Sequence, residues 1–221
     1  MFKNFHKNKY NSGLTLVELL VVIFIFMVMS GITIFSYGKF NSSLSIQNLA
    51  DDIALSARRA QGYAIGVRGY ANSFSDGYGI HFTANTDTSN LAAGSNKSFV
   101  LFANINNDDS YDYDNSGTCG APTTTNECLE ILNITSPDNI SQLYVGLGNG
   151  TKLLVNNGMV DVFFKRPFPE PTFCVRNNLN PNSSCDYSNN VSYIEIRIAS
   201  DGNPEIYKTV TISNNGQISV S

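Results

Sequence analysis

Residues 14–37 read LTLVELLVVIFIFMVMSGITIFSY, a run of 24 residues in which Glu18 is the only charge. A helix of that length and composition can span the hydrocarbon of a bilayer. Lys3, Lys7 and Lys9 precede it, and no basic residue follows until Lys39. The positive-inside bias then sets residues 1–13 in the cytoplasm and everything after Tyr37 outside, a single pass through the cytoplasmic membrane. A secretory signal peptide is the competing reading, with Val28-Met29-Ser30 ahead of Gly31 as its cleavage site. The run is too long for that, continues past the site and carries a carboxylate. A lipoprotein signal would need a cysteine there, and the first is Cys119.

Working outward, the 221 residues allow one domain or a small two-part architecture. A hydrophobic share of 42%, with 14 Phe and 11 Tyr, is enough to bury a core and argues against wholesale disorder. The 14 basic and 18 acidic residues are unevenly placed: removing the three leader lysines leaves 11 against 18, a balance of −7. Such a remainder disfavours binding nucleic acid by charge.

Glu18 is the residue that a plain anchor does not explain. A carboxylate in an insertion helix costs on the order of 2–3 kcal/mol near the bilayer centre and less near an end. No Lys, Arg or His lies between Lys9 and Lys39, so its partner has to come from outside the apolar segment.

Gly13-Leu14-Thr15-Leu16-Val17-Glu18, after a short basic leader and before an unbroken apolar helix, resembles the processing site of type IV prepilins and type II secretion pseudopilins. The resemblance implies that a prepilin peptidase cuts after Gly13 and methylates the new N-terminus at Leu14, and that Glu18 is the family's fifth mature residue. It also implies other pilin or pseudopilin subunits and an inner-membrane assembly platform as partners. Cleavage creates an α-amine at the end of an apolar helix, and the Leu14 amine of one subunit can meet Glu18 of the next. Leu14 departs from the commoner Phe at that place.

Residues 46–64 set Ile46, Leu49, Ala50, Ile53, Ala57, Ala60 and Ala64 at helical spacing, with Gln47, Asp51, Asp52, Arg58, Arg59 and Gln61 elsewhere. No Pro occurs from 14 to 66, so one helix can run about 50 residues, with Gly31 and Gly38 as expected bend points. The chain then reads as a leader (1–13), a membrane helix (14–37), its amphipathic continuation (38–66) and a β-rich domain outside the membrane (67–221). Strands are predicted over 78–83, 98–103, 129–134, 152–155, 159–164, 192–199, 205–213 and 217–220, with hairpin turns at Asp201-Gly202 and Asn215-Gly216. The stretches 104–127 and 177–190, rich in Asn, Asp and Ser, read as long loops. This is an α+β layout in which the 46–64 face covers an antiparallel sheet.

SARRAQGYAIG (56–66), YGIHF (78–82) and a terminal hairpin ending NNGQISVS are similar to the minor-pilin branch that includes pseudopilin H and FimT-like proteins. That branch often has Gly-Arg where this chain has Gly216-Gln217, so a basic end that could touch DNA is missing.

Four cysteines outside the apolar helix allow three pairings. Cys119–Cys128 and Cys174–Cys185 would each staple a polar loop of about ten residues, for roughly 2–3 kcal/mol apiece. Zinc is the competing use, but no CxxC is present and both His6 and His81 are remote in sequence. In 104–117, Asn104, Asn106 and Asp108 alternate, followed by Asp112, Asp114 and Ser116 before Gly117. These oxygens could wrap Ca²⁺, but Thr123 stands where an EF-hand needs its bidentate Glu, so a solvated acidic loop remains the alternative. His81, in a strand of core pattern, reads as a satisfied histidine rather than a catalytic base, and no phosphate-binding glycine loop is present. The function expected is a non-enzymatic filament subunit, extracellular or periplasmic once assembled. A permanently anchored surface domain that binds calcium or another ligand without polymerising is the alternative.

Overall fold

The computed structural model describes residues 13–66, 69, 77–87, 89–106, 108, 110–114, 118–180, 184–186 and 190–221. The chain divides into two compact units, Met1–Asn41 and Ser42–Ser221. One helix, α1 (Leu16–Ile65), supplies residues to both and stays helical through Gly31 and Gly38. In the first unit its apolar side chains are exposed on every side, Leu16, Val17, Leu20, Phe24 and Met27 among them. A helix apolar all round needs lipid or protein about it.

From Ser42 onward α1 is one-sided. Ile46, Leu49, Ala50, Ile53, Ala57, Ala60 and Ala64 are buried while Asp51, Asp52, Leu55 and Arg59 face out. Ser45 Oγ donates to Asp138 at 2.5 Å, Arg59 pairs with Glu130 at 2.5 Å, and Gln61 Nε2 donates to the Pro169 carbonyl at 2.7 Å.

Among the described residues ten strands follow: β1 (Gly77–Thr83), β2 (Ser98–Asn104), β3 (Cys128–Asn133), β4 (Asp138–Leu147), β5 (Lys152–Leu154), β6 (Met159–Lys165), β7 (Pro171–Arg176), β8 (Val191–Ser200), β9 (Asn203–Ser213) and β10 (Ile218–Val220). They form two antiparallel five-stranded sheets rather than one, in the orders β3-β2-β1-β6-β7 and β10-β9-β8-β4-β5. The result is α+β: one long helix, then two sheets.

Two strands escape a reading of the sequence. In β4 the register shifts between Ile140 and Gln142, so the inward side chains are Ile140, then Leu143 and Val145, and the alternation of apolar residues is broken. β7 opens on Pro171 and lies at a sheet edge, where Pro is tolerated. The turn at 214–216 has three residues: Ser213 N–H donates to the Gln217 carbonyl and Gly216 takes φ 82°, a conformation Gly reaches without strain.

The main core joins α1 to inward faces of both sheets, with Ile80, Phe82, Leu101, Val162, Ile194, Ile196 and Val210 fully buried. Every residue of β1 and β2 is buried, so the first sheet is covered on its other face as well. There Val100, Phe102 and Phe163 pack with Tyr111, from the long connection after β2, and with Cys128 at the start of β3. A Cβ on Gly79 would lie 2.4 Å from the Phe102 ring, so glycine is what lets that ring lie across β1.

Candidate functional site

The residues of the amino-terminal motif stand at the start of α1. Thr15 caps the helix: its Oγ1 accepts the Glu18 N–H at 3.3 Å, and its carbonyl accepts the Leu19 N–H at 3.2 Å. Thr15-Leu16-Val17-Glu18 has the Thr-x-x-Glu spacing of a capping box. Glu18 is thus an acid in the first turn, where the helix dipole favours negative charge. Gly13 and Leu14 are exposed ahead of the cap, which leaves the bond between them outside helical hydrogen bonding. Lys3, Lys7 and Lys9 of the leader lie outside the described residues.

The cysteines are paired locally, Cys119 with Cys128 (Cα–Cα 4.8 Å) and Cys174 with Cys185 (5.0 Å). The second pair ties the 177–190 connection to edge strand β7, where Asp186 N–H donates to the Val175 carbonyl at 2.7 Å. Replacing Cys174 and Cys185 together by Ser is expected to cost roughly 2–3 kcal/mol through the freed loop. Denaturant unfolding of the full chain in detergent reads the loss, and a cost below about 1 kcal/mol would show that the crosslink adds little.

The 104–127 connection differs from a solvated loop. Tyr111 and Glu127 are 0% exposed, and Asn104, Ser110 and Asn126 are buried with them. Asn106 Nδ2 donates to Asp108 at 3.0 Å and to Asp112 at 2.6 Å, so an amide stands between two carboxylates that a cation would need. Asp114 accepts from Asn126 Nδ2 at 3.1 Å, and Ser116 lies outside the described residues. Among the described residues no group of three or more His, Cys, Asp or Glu side chains converges as metal ligands.

Glu127 organises this segment. Its Oε1 accepts from Ile105 N–H at 2.6 Å and Asn106 N–H at 3.3 Å, and its Oε2 from Asp112 N–H at 3.3 Å. Burial pushes its carboxyl up to about 8, against the pull of those donors. The folded state therefore holds a proton that the unfolded chain, with its ordinary value of 4.5, gives up. Stability from this group is full below that value and falls as pH rises towards about 8, by on the order of 5 kcal/mol. Thermal midpoints measured between pH 5 and 8 should drop accordingly, and Glu127→Gln should flatten the slope; an equal slope in that variant would remove the assignment.

Beneath the same segment lies a charged cluster that no sequence motif announces. Asp161 of β6, His81 of β1 and Arg176 of β7 are each 0% exposed. Asp161 Oδ1 is 2.6 Å from His81 Nδ1, while Oδ2 accepts from Arg176 and, at 3.1 Å, from Tyr111 N–H. His81 Nε2 is 3.1 Å from the Ala93 carbonyl, and Tyr111 Oη donates to the Ala92 carbonyl at 2.7 Å. Both His81 nitrogens face acceptors. Burial works against charge on Asp161, but the Arg176 guanidinium and His81, with their hydrogen bonds, hold its carboxyl below the ordinary range. Burial, with the Asp161 charge, pushes the Tyr111 hydroxyl far up, so it stays a donor. The cluster pins the 84–97 and 105–127 connections onto the first sheet, a structural task that leaves no ring nitrogen of His81 free to act as a base.

The unmistakable signal lies at the amino terminus. Curated proteins and solved structures yield no match to the chain. Residues 8–34 match the family model described as the prokaryotic N-terminal methylation motif, so the chain carries a type IV prepilin-like amino terminus.

Proposed function

We propose that this chain is a non-enzymatic subunit of a type IV pilus or a type II secretion pseudopilus, of the minor branch. Prepilin peptidase removes residues 1–13 and methylates Leu14. Residues 14–37 hold the subunit in the cytoplasmic membrane, residues 38–66 continue the helix, and 67–221 form the domain outside it. The assembly platform then draws the subunit into an extracellular or periplasmic filament through its amino-terminal helix. The observation that carries this reading is the methylation motif over 8–34, with Gly13, Leu14 and Glu18 at the head of a helix apolar on every side. Among the described residues one helix is long and apolar enough to cross a membrane, and its 18-residue window has no buried residue.

Mass spectrometry of the protein from its native host is expected to show a methylated amino terminus at Leu14. An intact Met1 or a start at Gly31 would overturn the reading. A mature terminus at Leu14 with no incorporation into filaments would favour the permanently anchored surface domain instead.

A further inference from the structure

Strand β3 is an edge: it pairs with β2 and with no other strand among the described residues. At its start, Gly120 N–H donates to the Cys128 carbonyl, but from Leu129 to Asn133 the outer edge has no strand beside it. The sequence of the strand, CLEILN, holds no Pro and no Lys, and its one charge, Glu130, is taken up by Arg59 of α1.

α1 runs antiparallel to β3 along this margin. Arg59 clamps Glu130 at one end and Ser45 clamps Asp138 at the other. From Ser45 to Arg59 the helix rises about 21 Å at 1.5 Å per residue, the length of roughly six residues of extended chain. Between the clamps lies a cleft of about 370 Å³ with Leu49, Leu55, Phe99, Leu132 and Ile134 in its walls. Leu55 is 65% exposed, a large apolar side chain with nothing over it among the described residues. The cleft also holds charge: Arg59 is taken up by Glu130, while Asp52, among the described residues, has no partner. Asp52 also lines the continuation of the cleft towards Ser45 and Ser136.

A helix and an unpaired strand edge, side by side with an apolar floor between them, form the geometry by which an extended peptide is added to a sheet. We infer that the cleft between α1 and β3 binds an extended segment of a partner polypeptide whose cleft-facing side chains, every second residue, are apolar with one Lys or Arg among them. Its backbone extends the first sheet beyond β3, its apolar side chains fill the cleft, and a Lys or Arg pairs with Asp52. This goes beyond filament assembly through the amino-terminal helix and does not depend on it.

The test uses the full chain in a nonionic detergent and two blocked hexapeptides with Thr at every second place, one with Val, Val and Lys at the others (the Val-Lys peptide) and the other with Val, Val and Glu (the Val-Glu peptide). The Val-Lys peptide is expected to bind at least tenfold more tightly than the Val-Glu peptide and to slow amide hydrogen exchange at Leu129–Asn133. Asp52→Lys, an exposed substitution that leaves the core intact, should reverse the preference. Absence of binding by the Val-Lys peptide, equal affinity for the two peptides, or an unchanged preference in Asp52→Lys would overturn the proposal. So would protection of Leu129–Asn133 that grows with protein concentration in the absence of peptide, since the occupant would then be a second copy of the chain.

Discussion

Asp161→Asn is expected to lower the stability of the unit Ser42–Ser221 by about 3–5 kcal/mol, the usual cost of leaving a buried charge without its partner. The asparagine must present its amide to one of the donors that Asp161 now accepts, and Arg176 stays where water does not reach. At about 2–4 °C per kcal/mol for a unit of this size, the thermal midpoint should fall by about 6–20 °C. Calorimetry of the full chain in detergent reads this directly, and a loss under about 1 kcal/mol would show that the cluster is not what pins the two connections. Removing both charges, as Asp161→Leu with Arg176→Met, should recover much of the loss, because no lone guanidinium is then left behind. The pH response has a definite sign. The folded carboxyl lies below the ordinary 3.8, so its contribution is present above that value and is lost as pH falls through the folded one. Wild type should therefore weaken steeply in acid, and Asp161→Asn should lack that component.

Asp161 also shows where reading the sequence stops. The amino-terminal helix was legible because a long apolar helix is decided by length and composition over some twenty consecutive residues, and the motif beside it depends on fixed spacing. The 46–64 face was legible for the same reason, since its period is local. Eight of the strands announce themselves by short apolar runs between turn residues. β4 does not, because the irregularity after Ile140 moves its apolar residues from one parity to the other. The second sheet follows from pairings such as β4 with β8, between residues more than fifty positions apart, which composition does not encode. Segment 104–127 misled most. Its Asn, Asp and Ser look solvated, yet they satisfy one another and the backbone, while Tyr111 and Glu127 carry the segment into the core. Polar composition says that hydrogen bonds are needed; it does not say whether water or protein supplies them. His81 was read as a satisfied strand histidine, but its partners lie 80 and 12 positions away.

The second large effect is expected at Glu18, and the cap at Thr15 decides how to measure it. A capping box accepts Gln as well as Glu at this position, so Glu18→Gln keeps the helix start and removes only the charge. Thr15→Ala removes the hydroxyl that accepts the Glu18 N–H and should cost about 1 kcal/mol of helix stability with the charge left in place. If Glu18 pairs with the Leu14 amine of a neighbouring subunit, Glu18→Gln strips a desolvated amine of its partner, a loss of about 3–5 kcal/mol per contact. That is enough to remove the variant from filaments. Cleavage after Gly13 and the thermal midpoint of the unit Ser42–Ser221 should be unchanged, since Glu18 belongs to the other unit. The measurement is the ratio of filament-bound to membrane-bound protein in the native host, alongside the mass of the mature amino terminus. A variant that is processed normally and enters filaments at the wild-type level would show that Glu18 serves the helix start alone, and that the new amine finds its counter-charge elsewhere.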